Sequence, residues 1–349
     1  MKVNGKHYRT VWLEKFSVFF IDQNLLPFEF RIRESTSYRD CCDAIRSMMV
    51  RGAGAIGAIA GYAMAQAFHE SGRQDDGSFA GRARTEIGST RPTARNLFHA
   101  IEKVYERGMV SVEAAFEEAQ RLADRDAEDS RKIGELGQHL FKEGCRVETH
   151  CNAGWLAFVD FGTALSPVYL AHQQGRKLFV YVDETRPRGQ GARLTAWELG
   201  QAGVPHVIIP DHAGASLMAR GLVDLMITGA DRIAANGDVA NKIGTFEKAL
   251  VAHTLGIPFY VAAPTSTFDR NCATGSDIPI EERSEEEVLY QEGMTAGGRL
   301  ERIRIASPGS HALNPAFDIT PAEYITGIIT EKGIIRPNPG SISSILQSE

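Results

Sequence analysis

Short runs of β-branched and aromatic residues open the chain, and helical spacing replaces them from residue 38 onward. The runs at 8–13, 16–21 and 28–32 predict three strands. Apolar residues then recur on one face of a helix, and the Ala- and Gly-rich segment 56–68 is typical of a closely packed, buried helix. We therefore expect the N-terminal part of the chain to be mainly helical, with a small sheet.

A loop and two further helical segments complete this part of the chain. Residues 70–90 are polar and rich in glycine, which predicts a mobile loop. Helical periodicity returns over 96–107 and over 110–142, and the second segment is long enough for two helices.

The pattern changes again near residue 145. Short apolar runs without polar alternation are typical of strands that are buried on both faces of a parallel sheet. Such runs occur at 147–150, 177–182, 206–209, 225–228 and 258–262. Because segments that can hold helices separate them, we expect an α/β chain with two domains. Residues 1–144 would form a mainly helical N-terminal domain with a small sheet, and residues 145–349 a Rossmann-like C-terminal domain with a doubly wound parallel sheet.

Composition and charge exclude several classes of protein. The 349 residues include 38 Lys and Arg and 44 Asp and Glu, so the formal charge of −6 argues against binding to nucleic acid. No apolar run predicts a membrane span, and the N-terminus lacks the apolar core of a secretory signal. The five cysteines are sparse and show no metal-ligand spacing, as in reduced cytoplasmic proteins. We therefore expect a cytoplasmic protein with neither a membrane nor a nucleic acid as partner, and without a metal site.

The residues directly after each predicted strand are the first candidates for chemistry, because ligands of doubly wound sheets bind beyond the carboxyl ends of the strands. Cys151 follows the first run, and Asn152 would cap a following helix whose N-terminus favours the thiolate. The alternative is that Cys151 is a small buried residue without a chemical role. His150 is interpreted as a core histidine, because neighbouring strand residues point to opposite faces and a Cys–His dyad is then disfavoured.

A second candidate lies beyond the run at 225–228. Asp231 follows that run directly, and Asn241, Lys242 and a helix beginning near residue 243 together suit an anion such as phosphate. An ordinary solvated loop is the alternative for this segment. Asp238, beside the Asn-Gly pair at 236–237, fits that alternative better than Asp231 does.

The segment Arg51-Gly52-Ala53 precedes the Ala-rich helix. Its glycine allows a close approach of the backbone, the amides that follow face an anion, and Arg51 adds guanidinium donors. Arg91, before the segment 96–107, is a further candidate phosphate ligand. The letters GAGAIG at 52–57 match GxGxxG, but they follow a helix rather than a strand, which argues against dinucleotide binding.

Taken together, these segments resemble the S-methyl-5-thioribose-1-phosphate isomerases. Their superfamily also holds ribose-1,5-bisphosphate isomerases and the regulatory subunits of a eukaryotic translation-initiation exchange factor. The strings that carry the resemblance are RGAGAIG (51–57), TRPTARN (90–96), THCNAG (149–154), DETRPRGQGARLTAWEL (183–199), GADRIAANGDVANKIGT (229–245), PFYVAAPTSTFD (258–269), IPIEER (278–283) and NPAFDITP (314–321). They are distributed over nearly the whole chain.

The resemblance implies an aldose–ketose isomerase that acts on a sugar 1-phosphate without a metal or a redox cofactor. In methionine salvage the reaction converts 5-methylthioribose 1-phosphate to 5-methylthioribulose 1-phosphate. The implied catalytic residues are Cys151 and Asp231, and the implied substrate contacts are Arg51, Gly52, Ala53, Arg91, Gln190, Asn241 and Lys242. Asp231 would be the acid, and Cys151 would either remove the C2 proton or assist a hydride shift. The family also implies a homodimer.

The sequence departs from the family pattern close to the implied site. Gly54 stands where the family has a proline, and Trp155 and Phe158 add bulk after the cysteine. These changes leave the implied catalytic residues in place but leave the sugar 5-substituent open, so 5-deoxyribose 1-phosphate is an alternative substrate. We hypothesise that Trp155 and Phe158 favour substrates without a polar 5-hydroxyl. A non-catalytic regulatory subunit is a further alternative, and the presence of both Cys151 and Asp231 argues against it.

Overall fold

A seven-stranded sheet forms the centre of the C-terminal half in the computed structural model, which describes residues 1–72, 78–92 and 94–347. In spatial order its strands are Gly333–Ile335, Gly327–Thr330, Phe259–Ala262, Leu225–Thr228, Cys145–Thr149, Leu178–Asp183 and His206–Ile209. Neighbouring strands are parallel, except for the antiparallel pair at the edge that Gly333–Ile335 forms. The five predicted runs all form strands of this sheet, and the predicted fold class is confirmed.

Apolar side chains cover both faces of this sheet. Val147 and Ile227 point into one core with residues of the helices Ser166–Gln173 and Ala196–Ala202. Met226 and Val261 point into another, and the helices Ala213–Ala219 and Thr245–Thr254 pack there. Alternate residues of a strand therefore enter different cores, which explains the continuous apolar runs of the sequence.

The N-terminal half is mainly helical, as expected. Its helices are Tyr38–Arg46, Ala53–Ser71, Ser78–Ser89, Arg95–Gly108 and Val112–Gly137, the last followed by a short 3₁₀ turn at Gln138–Leu140. Its strands are the short hairpin Lys2–Val3 and Lys6–His7 and the antiparallel sheet Val11–Glu14, Ser17–Ile21 and Ile32–Ser35. The boundary between residues 144 and 145 stays a prediction.

Three expectations for this half are wrong in detail. The strand predicted at 28–32 lies later, because the amides of Phe28 and Glu29 donate to the Leu25 carbonyl and form a turn. The segment 110–142 forms one long helix rather than two. The loop predicted over 70–90 contains the helix Ser78–Ser89, whose residues Ala80, Ala83 and Ile87 are buried at helical spacing. Residues 73–77 of that predicted loop lie outside the described residues.

A second, four-stranded sheet shares a hydrophobic core with the large one and was not predicted. Its strands in spatial order are Phe268–Asp269, Arg232–Ala234, Val239–Lys242 and Phe317–Thr320. Asn241 and Lys242 therefore lie on a strand, and the helix expected near residue 243 begins at Thr245. The remaining elements are the short helix Glu286–Leu289, the hairpin Tyr290–Met294 with Leu300–Arg304, and the C-terminal helix Pro339–Gln347. No helix within the described ranges is both long enough and apolar enough to cross a membrane.

The two halves meet where the helix Ala53–Ser71 begins. Gly52 has φ +89°, and a Cβ atom at this position would lie 2.4 Å from the Ala157 Cα. A Cβ atom at Gly54 would lie 2.3 Å from Asp126 Oδ1 and 2.4 Å from Phe158 Cδ1. Only residues without a side chain fit here, which gives a physical reason for Gly54 at a position where the family has a proline.

Asp126 at this junction predicts an unusual pH dependence of stability. Its Oδ2 accepts a hydrogen bond from the Val159 amide at 2.7 Å, yet burial raises its pKa to about 7. The folded state therefore holds a proton that the unfolded state has released, with a pKa of about 3.9, so stability should fall as the pH rises between these values. We expect Asp126→Asn to increase the free energy of unfolding, and the increase should grow from pH 4 to pH 7 and then stay constant.

Denaturant unfolding of both proteins across this pH range tests the prediction. Asp124→Asn, at a half-exposed position on the same helix, is the matched control and should show no comparable growth. A difference between Asp126→Asn and the unsubstituted protein that is independent of pH would contradict the assigned titration.

Candidate active site

One cleft at the junction of the two halves contains every residue that the sequence singled out as a site residue. Its walls include Arg51, Gly52, Ala53, Arg91, Cys151, Gln190, Asp231, Asn241 and Lys242. These residues come from six separate segments of the chain, and the cleft opens beyond the carboxyl ends of central strands of the large sheet. Their roles in a reaction stay predictions.

Cys151 occupies a strained turn directly beyond the strand Cys145–Thr149. Its φ of +67° is unfavourable for a residue with a Cβ atom. Two threonine hydroxyls hold it there: Thr185 Oγ1 accepts from the Cys151 amide at 2.9 Å, and Thr195 Oγ1 donates to the Cys151 carbonyl at 2.7 Å. An outlier that the surrounding structure fixes in this way is typical of a functional position. Sequence reasoning did not identify either threonine.

The helix expected to begin at Asn152 is absent from this described segment. The first helical turn after the cysteine is the short 3₁₀ turn Trp155–Ala157, and the amide of Asn152 makes other contacts. A helix N-terminus therefore does not stabilise a thiolate here. The cationic side chains of Arg51 and Lys242 lie close to Cys151 instead.

Asp231 lines the same cleft, beyond the strand Leu225–Thr228, which is the direct neighbour of Cys145–Thr149 in the sheet. Burial raises the pKa of its carboxyl group, although Lys242, Arg283, Arg91 and Arg51 act in the opposite direction. The side chain is nevertheless exposed to the cleft. The surrounding protein thus favours the protonated form, and a ligand that displaced water from the cleft would favour it further.

Several cationic side chains line the same space, among them Arg51, Arg91, Lys242 and Arg283. Lys242 is buried, its Nζ donates to the Ala316 carbonyl at 2.5 Å, and it lies 4.6 Å from the Phe317 ring centre. Burial and the neighbouring Arg283 lower the pKa of Lys242 to about 8. Arg283 was not identified from the sequence, although the string IPIEER that contains it was noted.

Glu281 neutralises part of this charge. Its Oε2 accepts from Arg91 Nη2 at 3.3 Å and its Oε1 accepts from Arg283 Nε at 3.0 Å. Burial opposes the ionised form, but the two arginines outweigh it and lower the pKa of Glu281. One carboxylate between two guanidinium groups leaves the cleft with an excess of positive charge, which suits an anion.

Backbone and side-chain amides supply further polar contacts. No side chain caps the helix Ala53–Ser71 at its N-cap Gly52, so the first amides of this 19-residue helix are available to an anion. Asn241 Nδ2 donates to Thr245 Oγ1 at 3.0 Å, which leaves its carbonyl oxygen for a ligand. The Gln190 Oε1 atom is buried and has no hydrogen-bond partner among the described residues.

A buried charge cluster lies behind the cleft. Ligand-type atoms of His150, Asp183 and Asp211 lie within 4.8 Å of one another, as in a metal site. The ammonium group of Lys248, however, lies 3.0 Å from Asp183 Oδ2 and also donates to the Asp211 carbonyl. A cation therefore already occupies this cluster, and a metal ion would have to displace it.

His150 is a core residue, as interpreted from the sequence. It is 1% exposed, with Nδ1 3.0 Å from Asp183 Oδ2 and Nε2 2.9 Å from the Ile243 carbonyl. Burial and the charge of Asp183 raise the pKa of nearby Glu148 to about 8.

Trp155 and Phe158 have different positions. Phe158 lines the cleft, and its ring packs against Gly54. Trp155 is completely buried elsewhere, in a cluster with Ile21 and Leu194, and its ring stacks on Trp197. Trp155 therefore has no direct access to the cleft, and for Phe158 the expected effect on the sugar 5-substituent stays a prediction.

Comparisons with known proteins find relatives along nearly the whole chain. Residues 49–337 match the model of the Initiation factor 2 subunit family. The methylthioribose-1-phosphate isomerase of Rhodospirillum centenum is 46% identical, and the match covers 100% of this chain and 96% of the relative. That of Methylorubrum extorquens is 48% identical, with 96% of this chain and 95% of the relative covered.

Two solved structures are similar over nearly the whole chain. The 5-methylthioribose 1-phosphate isomerase from Pyrococcus horikoshii OT3 superposes with a TM-score of 0.87 and 42% identity, covering 98% of this chain and 96% of the other. The translation initiation factor eIF-2B, subunit delta, from A. fulgidus gives a TM-score of 0.84 and 40% identity, covering 98% and 100%.

The low pKa of Lys242 predicts how anion binding should depend on pH. Sulfate keeps its double negative charge from about pH 6 to pH 10, so a change of affinity reports on the protein. We expect sulfate affinity to fall as the pH rises through about 8, where Lys242 loses its charge. Calorimetric titration at several pH values measures this.

Two variants control this titration. Lys242→Met should bind sulfate more weakly and without the step near pH 8, whereas Cys151→Ser should keep the step. An affinity of the unsubstituted protein that does not change between pH 7 and pH 9 would remove Lys242 from the anion site.

Proposed function

This chain belongs to the Initiation factor 2 subunit family, and on that premise we propose that it converts 5-methylthioribose 1-phosphate to 5-methylthioribulose 1-phosphate. Curated methylthioribose-1-phosphate isomerases that are 46% and 48% identical over nearly their full length make the chain an isomerase of this family. The observation that carries the proposal is the meeting of a thiol, a carboxyl group and several cations in one cleft. A cytoplasmic location and a homodimer remain predictions.

The chemistry of the substrate explains why such groups are required. A phosphate on the anomeric oxygen prevents spontaneous opening of the sugar ring, so an acid must protonate the ring oxygen while its bond to C1 breaks. Hydrogen must then move from C2 to C1. An acid and a base that both reach the bound sugar provide both steps.

Asp231 is the proposed acid. It donates its proton to the ring oxygen, and the resulting carboxylate accepts the proton of the C2 hydroxyl when the ketone forms. Support comes from the raised pKa of this carboxyl group, which burial causes against the effect of four cations.

Cys151 is the proposed base. Its thiolate removes the proton from C2, so that the C–H electron pair forms the double bond of an enol phosphate. The thiol then returns a proton to C1, and the C2 oxygen becomes the carbonyl of the ketose. Support comes from the proximity of Arg51 and Lys242, which stabilise negative charge at this position.

The phosphate group would bind between Arg51, Arg91 and Lys242, with the free amides at Gly52 and Ala53. Asn241 and Gln190 present polar atoms to the same cleft and would bind the sugar hydroxyls. The guanidinium groups and the amides offer several directed donors to a dianion, whereas the sugar itself carries no charge.

A second candidate function is a non-catalytic regulatory role. The 40% identity to the A. fulgidus structure described as translation initiation factor eIF-2B, subunit delta, favours it. The two functions predict opposite results in one assay, because only the isomerase would convert a pentose 1-phosphate to the ketose.

The proposed acid and base predict a specific kinetic pattern. Asp231→Asn cannot donate a carboxylic proton and Cys151→Ser is a much weaker base, so each should lower kcat by at least about a hundredfold. KM should change little, because other residues bind the phosphate. The kcat/KM of the unsubstituted enzyme should be bell-shaped in pH, with its optimum between the two pKa values.

Steady-state kinetics of the three proteins across pH checks this pattern. Lys242→Ala is the contrasting variant and should raise KM at least about tenfold, since a charged hydrogen bond contributes roughly 1.5–3 kcal/mol. Retention of most activity in Cys151→Ser would show that the proton follows another route, and a bell that persists in Asp231→Asn would do the same for the acid.

Phe158 predicts the preference for the sugar 5-substituent. An apolar ring in the cleft wall leaves a 5-hydroxyl without a partner, so 5-methylthioribose and 5-deoxyribose 1-phosphates should react better than ribose 1-phosphate. Phe158→Thr should reduce the ratio of kcat/KM values between the methylthio and hydroxy substrates by about tenfold. Trp155→Phe, which alters a ring outside the cleft, should leave that ratio unchanged. Equal effects of both variants would contradict a direct role of Phe158.

A further inference from the structure

Glu198 places a carboxylate inside the turn that follows Cys151. Its side chain is completely buried on the helix Ala196–Ala202, and it accepts hydrogen bonds from Asn152 Nδ2 at 2.8 Å and from Tyr169 Oη at 2.6 Å. The amides of Trp155 and Leu156 donate to it at 2.7 Å and 3.1 Å. Burial raises the pKa of this carboxyl group, and the hydrogen bonds oppose that shift. The turn is thus wound around one acceptor group.

The turn has no room for another arrangement. A Cβ atom at Gly154 would lie 2.2 Å from Glu198 Oε2, so only glycine allows the backbone to close around the carboxylate. Three of the four donors, the two backbone N–H groups and the Asn152 NH₂ group, cannot accept in return. An acceptor is therefore required at this position.

The carboxylate also determines how the Asn152 amide is oriented. Because the NH₂ group must face Glu198, the Asn152 Oδ1 atom faces the cleft, where Arg51 Nη1 donates to it at 2.5 Å. Arg51 Nη2 donates to the Asn152 backbone carbonyl at 2.8 Å. Both hydrogen bonds that hold the Arg51 guanidinium group thus end on Asn152, and Glu198 holds Asn152 in place.

The same amide reaches Cys151 through a threonine. Asn152 Nδ2 lies 3.2 Å from Thr195 Oγ1, which donates to the Cys151 carbonyl at 2.7 Å. Thr195 ends the π-helical turn Gly191–Thr195, and the helix Ala196–Ala202 with Glu198 continues it directly. The two residues are three positions apart and so lie on one face. A chain of hydrogen bonds therefore leads from Glu198 through Asn152 to the strained backbone of Cys151 and to Arg51.

We propose that Glu198 is a positioning residue that acts through Asn152 and fixes both the Arg51 guanidinium group and the Cys151 turn. Its kinetic consequences rest on the proposed function, but its effects on anion binding and on the thiol do not. Glu198 touches neither substrate nor reacting atoms. Its removal changes the site by releasing the groups that do.

Three substitutions separate positioning from general stability. Glu198→Gln places an NH₂ group, which can only donate, among the donors that face the carboxylate. Asn152→Ala removes the connecting amide. Tyr169→Phe removes a different donor to the carboxylate. Inorganic phosphate, titrated by calorimetry, reports on Arg51. The rate of alkylation by iodoacetamide reports on Cys151, because the other four cysteines are buried.

We expect Glu198→Gln and Asn152→Ala each to weaken phosphate binding about tenfold and to change the alkylation rate by a similar factor. In the double variant the effects should not add, because the carboxylate acts through the amide. Tyr169→Phe should lower the melting temperature but leave phosphate affinity and alkylation close to those of the unsubstituted protein.

Additive effects, or unchanged phosphate binding in a folded Glu198→Gln variant, would overturn the proposal. If Glu198→Gln does not fold, Asn152→Ala is the deciding variant, because it leaves three donors on the carboxylate. Phosphate binding and alkylation of Asn152→Ala that equal those of the unsubstituted protein would also overturn the proposal. Lack of turnover in the unsubstituted protein would refute the proposed function alone, since both readouts work without substrate.

Discussion

The close approach of two backbones at Gly52 and Ala157 is the constraint on which the cleft depends. The helix Ala53–Ser71 begins so near the turn after Cys151 that neither Gly52 nor Gly54 has space for a Cβ atom. This approach brings Arg51 within hydrogen-bond distance of Asn152 and joins residues about a hundred positions apart in the chain. Free helix amides, a guanidinium group and a thiol meet as a direct consequence. A larger side chain at either glycine would push the helix and the turn apart and so separate Arg51 from Cys151.

Opposing electrostatic effects determine what the cleft can do. Burial favours neutral forms, which raises the pKa of Asp231 and lowers that of Lys242 to about 8. The cations around them favour negative charge, and therefore a bound anion. An acid that holds its proton and a site that attracts a dianion can therefore coexist within one space. Behind the cleft, the Lys248 ammonium group forms ion pairs with Asp183 and Glu148.

The sequence predicts the large sheet well because its central strands are buried on both faces and show as continuous apolar runs, whereas the edge strand His206–Ile209 keeps Val207 and Ile208 exposed. It predicts the structure less well where a strand forms only because it pairs with a segment far away in the chain. The strands Arg232–Ala234 and Val239–Lys242 are short and partly polar, so the segment resembles a loop until Phe317–Thr320 pairs with it. The glycines of the helix Ser78–Ser89 favoured the prediction of a loop, although Ala80, Ala83 and Ile87 have helical spacing.

The same difference applies to the site. Residues at strand ends, such as Cys151 and Asp231, could be proposed from position, and the family strings supplied the others. Thr195 and Glu198 belong to one of those strings but act through a turn more than forty residues earlier, which no local pattern indicates. The direction of the Trp155 and Phe158 side chains likewise depends on packing against other elements.

The central claim is that this cleft isomerises a sugar 1-phosphate, and ³¹P and ¹H NMR of the purified protein with 5-methylthioribose 1-phosphate in D₂O tests it most directly. The account predicts that the signals of the aldose phosphate give way to those of the ketose 1-phosphate, with deuterium entering at C1 through the exchangeable thiol of Cys151. It predicts that prior alkylation of Cys151 stops the conversion. A substrate spectrum that stays unchanged in the presence of folded, unmodified protein would contradict the account.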